Sequence, residues 1–313
     1  MKSRNYAGIS LLASLAACNS ATAETVQNNS TQAPQKPNVI VILADDLGYG
    51  DLKCYGAKNV ETPHVDKLAS EGIRFTNAHT VAATSTPSRY SLLTGEYAWR
   101  RPDTDIAAGD VKMIIRPEQY TMADMFKSAG YATAAIGKWH LGLGDKTGGQ
   151  DWNAPLPAAL GDLGFDYHYI MAATADRVPC VFIENGKVAN YDPSDPIEVS
   201  YTKNFPGEPT GKDNPELLYN LHPSNGHDMS IVNGISRIGF MKGGGKALWK
   251  DENIADSITP FMPSTLSNSI KTSLSLCILQ PMMYTFLVFP MTASVERILW
   301  DYAETQSPNS TGR

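Results

Sequence analysis

The stretch NVIVIL, residues 38–43, constrains the fold more than any other part of the chain. After Asn38 it is wholly apolar, and Val39 to Ile42 are all β-branched. A strand with apolar side chains on both faces must be covered on both faces, as in a parallel sheet with helices above and below it. The segments that follow fit that demand. Thr62 to Glu71 (TPHVDKLASE) has helical spacing, with Thr62 as N-cap, Pro63 in the first position and Gly72 as the stop. Ile73 to Ala78 reads as a strand. In STPSRYSLLTG, residues 85–95, Ser85 or Thr86 is the N-cap of a helix running to Leu93, with Pro87 in its first turn and Gly95 beyond its end. Thr121 to Ala129 (TMADMFKSA) is a third helix stopped by Gly130, and Tyr131 to Ile136 is a strand. Strands alternating with helices define an α/β fold with a mainly parallel central sheet flanked by helices. Residues 144–230 are rich in Gly, Pro, Asn and Asp and read as loop-heavy, and no internal repeat is present.

The globular pattern begins only at Pro37. Ahead of it, Lys2 and Arg4 precede an apolar run from Ala7 to Ala17, too short to span a bilayer as a stable helix. The run ends in Leu15-Ala16-Ala17-Cys18, the pattern of a bacterial lipobox. Residues 1–18 therefore read as a lipoprotein signal peptide, with a lipid anchor at Cys18. Asn19 offers no acidic retention signal, which points to an exported lipoprotein of the outer membrane, on its periplasmic or surface face. Residues 19–36 are polar and read as a flexible tether. The net charge of −6 supplies no basic excess to neutralise phosphates, so nucleic acid is not expected as a partner. Cys18, Cys54, Cys180 and Cys277 are widely spaced and form neither a disulfide framework nor a zinc pattern.

Three clusters carry chemistry. Asp45-Asp46 follow the NVIVIL strand directly, where open α/β sheets place ligands. Adjacent carboxylates there suit Ca²⁺, or less well Mg²⁺, although two solvated loop aspartates would look the same. Gly137-Lys138-Trp139-His140-Leu141-Gly142 follows the strand at Tyr131–Ile136. On an extended segment Lys138 and His140 point to one side, the Lys to bind an anion and the His to pass a proton. A snorkelling Lys and a satisfied His are the plainer reading of the same residues. Ser85 and Arg89, four apart on a helix, share one face near its N-terminus, an anion site by donors and dipole together.

Together these stretches resemble the sulfatase family. Ser85-x-Pro87-Ser88-Arg89 followed by Leu93-Thr94-Gly95 is similar to the family's first signature. PNVIVILADDLGYGD resembles its opening metal strand, TPHVDKLASEGIRFTNAH the segment between, and GKWHLG its second signature. The resemblance covers residues 37–258 and implies the N-terminal portion of an alkaline-phosphatase-like α/β sandwich. It implies a sulfuric ester hydrolase, arylsulfatase-like, acting on a sulfated glycan or aryl sulfate. Ser85 would be oxidised to formylglycine by a maturase that reads Pro87 and Arg89. The hydrated aldehyde would attack sulfur through one hydroxyl and expel sulfate by deprotonation of the other. Arg89 would hold the modified side chain. Asp45, Asp46 and residue 85 would bind calcium, Lys138 would bind sulfate, and His140 would assist attack or release. His79, His222 and His227 read as structural or surface residues ahead of substrate contacts. A phosphoester or phosphonate hydrolase of the same superfamily is the alternative, as is an inactive truncated lipoprotein.

The resemblance fades near Ile258. The family's further His-containing segment and the Asp-Asn pair that completes its calcium site are not found in the residues beyond. Codons for Met262 to Pro290 can be chosen so that the frame one nucleotide earlier reads as family-like sequence, including a His-containing segment; the codons for Trp300 to Arg313 allow the same. Residues 259–313 are therefore expected to be an out-of-frame tail and the product to be unstable and inactive, which resequencing the locus would check.

Overall fold

The computed structural model describes residues 36–219, residues 222–258 and the backbone of Ser275–Gln280. The expected signal peptide, nearly all of the tether and most of the expected tail lie outside the described residues. Contacts divide the chain between Lys36 and Pro37, and the fold below belongs to the unit that begins at Pro37.

The NVIVIL run forms β1, Val39–Ile42. Helix α1, Pro63–Glu71, starts at Thr62 as expected and stops at Gly72. The side chain of its cap residue accepts no backbone N–H of the helix. The Thr62 hydroxyl accepts from the Lys53 backbone at 2.9 Å and donates to Asp66 at 3.1 Å, tying the helix to the preceding loop. Helix α2, Ser85–Thr94, starts one residue earlier than the hydroxyl pattern suggests. Thr84 is the N-cap, and Ser85 is the first helical residue. Gly95 ends it in the left-handed region, φ 71°, where a side chain would be strained. Helix α3, Met122–Ser128, has a full capping box: the Asp124 N–H donates to the Thr121 hydroxyl, and the Thr121 N–H donates to the Asp124 carboxylate.

Strand β2, Ala132–Lys138, follows α3 at once and is buried from Thr133 onward. Three further strands of the central sheet lie in the stretch that reads as loop-heavy: β3, Tyr167–Met171, β4, Phe182–Glu184, and β5, Lys187–Val188. Two small ribbons, β6 (Glu198–Ser200) with β9 (Phe240–Lys242) and β7 (Ile231–Val232) with β8 (Ile235–Ser236), are antiparallel. Helix α4, Ile254–Ile258, comes next. Strand β10, Ser275–Gln280, comes from the segment expected to be tail, and it inserts between β1 and β2.

The central sheet runs β1-β10-β2-β3-β4-β5. The first four strands are mutually parallel, with Ile42 opposite Leu279, Leu279 opposite Ile136, and Ile136 opposite Tyr169. The last two are antiparallel. This is the expected α/β architecture. The core lies around β2 and β3, where Ile136, Trp139, Leu141, Leu143, Leu160, Leu163 and Ile170 are all but fully buried. Each such large side chain stabilises the fold by about 1.5–3 kcal/mol. Ile73 to Ala78 does not form the expected strand. Ile73 is 85% exposed and Phe75 67% exposed, and no described strand pairs with the segment. Without a ladder its backbone groups gain nothing from extending as a strand.

Candidate active site

Three chain segments meet at the carboxyl-end edge of the parallel strands. The loop after β1 brings Asp45 and Asp46, the N-terminus of α2 brings Ser85 and Arg89, and the end of β2 brings Lys138 and then His140. The Ser85 hydroxyl sits between two buried groups. It accepts from Arg89 Nε at 2.9 Å and lies 3.0 Å from His140 Nδ1. The other ring nitrogen of His140, Nε2, lies 2.8 Å from the Ala107 carbonyl, which can only accept. Nε2 therefore carries the proton, and Nδ1 of the neutral ring accepts from the Ser85 O–H. Burial, reinforced by the positive charges of Lys138, Arg177 and Arg89, pushes the His140 pKa down to about 3. The imidazole is thus neutral and basic at Nδ1 across the physiological range.

Arg89 is 1% exposed, and its partners include Ser85, the Lys138 carbonyl at 3.0 Å and the Asp45 carboxylate at 3.4 Å. Lys138 is also buried, and its ammonium donates to the other Asp45 oxygen. Burial alone would raise the Asp45 pKa. Lys138 and Arg89 outweigh it and hold the carboxylate below its usual range. Two buried cations against one largely buried carboxylate, with Asp46 exposed, leave the pocket attractive to an anion. The N-terminus of α2 adds its dipole at Ser85.

Lys138 and His140 do converge, though not by strand alternation. Lys138 ends β2, while His140 adopts φ 58°, and Asp46 adopts φ 56°. Non-glycine residues at such angles carry strain of order 1–3 kcal/mol, which packing elsewhere must overcome. At His140 the support is Thr86, fully buried, whose hydroxyl donates to the His140 carbonyl at 3.0 Å and accepts from the Ala107 N–H at 3.1 Å. Thr86 thus fixes both the histidine backbone and the loop residue whose carbonyl fixes its tautomer. The sequence reading offered Thr86 only as a cap.

The expected calcium ligands fit the metal in kind but not in number. Asp45, Asp46 and residue 85 are oxygen donors, yet Ca²⁺ takes six to eight oxygens. One Asp45 oxygen already accepts from Lys138, and the other is ion-paired with Arg89 at 3.4 Å. Among the described residues no group of three or more His, Cys, Asp or Glu could hold a metal ion. Of the other expected residues, His79 is exposed and bonds Asn77 at 2.8 Å, and His222 is exposed. His227, by contrast, donates through Nε2 to Asp176 at 2.9 Å. Asp176 and Arg177, in the turn after β3, are a charged pair that sequence reading missed. The rule that found Asp45-Asp46, acidic residues just beyond a strand, would have found them had β3 been seen. Cys54 and Cys180 are free thiols.

The geometry is that of a serine oxygen held by a buried guanidinium and facing a neutral histidine, inside an anion-attracting pocket at a parallel-sheet edge. The Sulfatase family model matches residues 37–220, and the chain belongs to the sulfatase family. It is 56% identical over 248 residues to an N-acetylgalactosamine-6-O-sulfatase of Bacteroides thetaiotaomicron, covering 79% of this chain and 47% of that protein. It is 48% identical over 120 residues to mouse steryl-sulfatase, covering 36% and 19%. A solved structure from work on glycosaminoglycan metabolism by Bacteroides thetaiotaomicron superposes with a TM-score of 0.83 at 47% identity, over 87% of this chain and 59% of that one. The chain spans about half the length of the bacterial relative and less of the mammalian one.

Proposed function

We propose that the protein hydrolyses sulfate esters of a sulfated glycan, with residue 85 as the reacting group. The observation that carries this reading is the placement of the Ser85 oxygen between Arg89 Nε and His140 Nδ1. The 56% identity to an N-acetylgalactosamine-6-O-sulfatase supports a 6-sulfated amino sugar as the substrate class. His140 Nδ1 takes the proton from the residue-85 oxygen as that oxygen attacks, and a base held neutral by burial is free to do so. Arg89 orients the oxygen. Lys138 and Arg89 balance the negative charge of the arriving sulfate, and burial strengthens both effects.

A maturase that oxidises Ser85 to formylglycine belongs to the same reading. When present, the hydrated aldehyde supplies an attacking hydroxyl and a second hydroxyl that makes release of sulfate easy. Calcium belongs to it only as far as Asp45, Asp46 and residue 85 can contribute oxygens, fewer than the six to eight that Ca²⁺ takes. Lipid attachment at Cys18 and an outer-membrane address rest on the sequence pattern of residues 1–19. The out-of-frame origin of residues 259–313 likewise rests on codon reasoning and is tested by resequencing; a slip found there would assign the hydrolysis to the in-frame chain and not to this product.

Mass spectrometry of the peptide containing Ser85, taken from protein made in its native host, tests the modification. A mass lower than the serine form by two hydrogens supports it, and an unmodified serine on turnover-competent protein refutes it. Parallel rates on 4-nitrophenyl sulfate and 4-nitrophenyl phosphate test the reaction. Faster release from the phosphate would overturn the sulfatase reading in favour of a phosphoester hydrolase.

A further inference from the structure

The turn after β3 carries a second set of charged groups beside Ser85. Strands β2 and β3 are parallel, and their ends are joined by bonds from Trp139 N–H to the Met171 carbonyl (3.0 Å) and His140 N–H to the Ala172 carbonyl (3.1 Å). The turn Thr174–Arg177, closed by the Arg177 N–H on the Thr174 carbonyl at 3.1 Å, therefore leaves the sheet at the same edge as Lys138 and His140.

Asp176 is fixed by three donors: the Thr174 hydroxyl, Arg177 Nη1 at 3.1 and 3.2 Å, and His227 Nε2 at 2.9 Å. Burial would raise its pKa, but Arg177 and these hydrogen bonds outweigh that and keep it ionised. The turn itself is anchored from behind. Arg237 donates to the Ala175 carbonyl at 2.6 Å, and the Ile238 N–H donates to the Asp176 carbonyl at 2.8 Å. Arg177 uses Nη1 for Asp176 and for Thr174 at 2.9 Å; its Nε and Nη2 make no hydrogen bond among the described residues, and its side chain is 17% exposed. A rigid carboxylate beside a guanidinium with donors to spare suits a hydroxyl group. The carboxylate accepts the hydroxyl proton while the guanidinium donates to its oxygen.

We propose that Asp176, Arg177 and His227 form a subsite that reads a ring hydroxyl of the sugar whose sulfate is delivered to residue 85. The inference rests on the hydrolase reading for the sulfate's destination. Arg177 binds the hydroxyl directly, Asp176 completes the pair, and His227 positions Asp176.

The test uses the full chain with N-acetylgalactosamine 6-sulfate and 4-nitrophenyl sulfate, the second lacking a sugar. In Arg177→Lys, kcat/KM on the saccharide falls by about 10- to 100-fold, the loss expected for a charge-assisted hydrogen bond. That fall exceeds the loss on the aryl sulfate by at least roughly 10-fold. His227→Gln, which keeps a donor for Asp176, shows the same preference with a smaller amplitude and serves if Arg177→Lys does not fold. Equal losses on both probes, or no loss on the saccharide, overturn the subsite. Calorimetric binding of N-acetylgalactosamine 6-sulfate to Ser85→Ala, with and without Arg177→Lys, separates the two readings. Binding that depends on Arg177 in a chain that hydrolyses neither probe sinks the hydrolase and keeps the subsite. Binding indifferent to Arg177 sinks the subsite, whatever the turnover.

Discussion

Replacing Thr86 by Val would remove one hydroxyl and leave the volume of the side chain almost unchanged. Thr86 is fully buried, so no water replaces what is lost. Its hydroxyl serves the His140 carbonyl and the Ala107 N–H, and both would become buried and unpaired. Each such group costs about 1–3 kcal/mol, or about 2–6 kcal/mol together. Against a total stability of about 5–15 kcal/mol, that is a large loss. Thr86→Ser keeps both bonds and loses only a methyl group, about 1 kcal/mol. Urea unfolding should therefore rank wild type, Thr86→Ser and Thr86→Val in that order, with the larger step at the second change. Turnover should follow the same order, because the Ala107 carbonyl that holds the His140 tautomer is itself held by Thr86. A Val variant as stable as the Ser variant would refute the reasoning, since it would show that neither bond contributes.

Three further outcomes follow from the same structure. His140 has its pKa depressed to about 3 from 6.5, so the unfolded chain takes up the proton first and stability falls as pH drops below 6.5, until the loss is complete near 3. Between pH 7 and 5 the cost is about 2 kcal/mol, absent in His140→Gln; urea unfolding of both at the two pH values checks it, and equal pH slopes contradict it. His168, pushed down to about 4 by burial and accepting from the Gly186 N–H at 2.8 Å, carries the same sign. His168→Gln should therefore lose about 2 kcal/mol less than wild type over that range, measured in the same way. Arg89→Lys cannot reach Ser85, the Lys138 carbonyl and Asp45 together, so sulfate release should drop by at least about 100-fold and unfolding should ease by about 2–4 kcal/mol.

Much of the site was legible because its residues are tied to local patterns. The four-residue spacing of Ser85 and Arg89 survives in any helix, and their bond forms as the spacing requires. Asp45 follows an unmistakable apolar strand, half-buried in the fold, and Lys138 and His140 follow another. What the sequence could not show was conformation set by distant partners. Ile73 to Ala78 has strand composition but no described neighbour to pair with. The strand YHYIM, residues 167–171, sits in a stretch whose Gly, Pro and Asn content reads as loop, and its pairing with β2 decides the matter. Ser275–Gln280 reads as tail, yet its backbone completes the ladder between β1 and β2. The hydroxyl of Thr86 and the pair Asp176–Arg177 look ordinary until the fold brings them to His140 and Lys138.

The most direct test of the account is sulfate release from N-acetylgalactosamine 6-sulfate by the protein and by Ser85→Ala, measured side by side with matched folding. The account predicts release by the first and none above background by the second, because the attacking oxygen is gone while Arg89, Lys138 and His140 remain. Comparable release by both would contradict it, since the chemistry would then lie at some group other than residue 85.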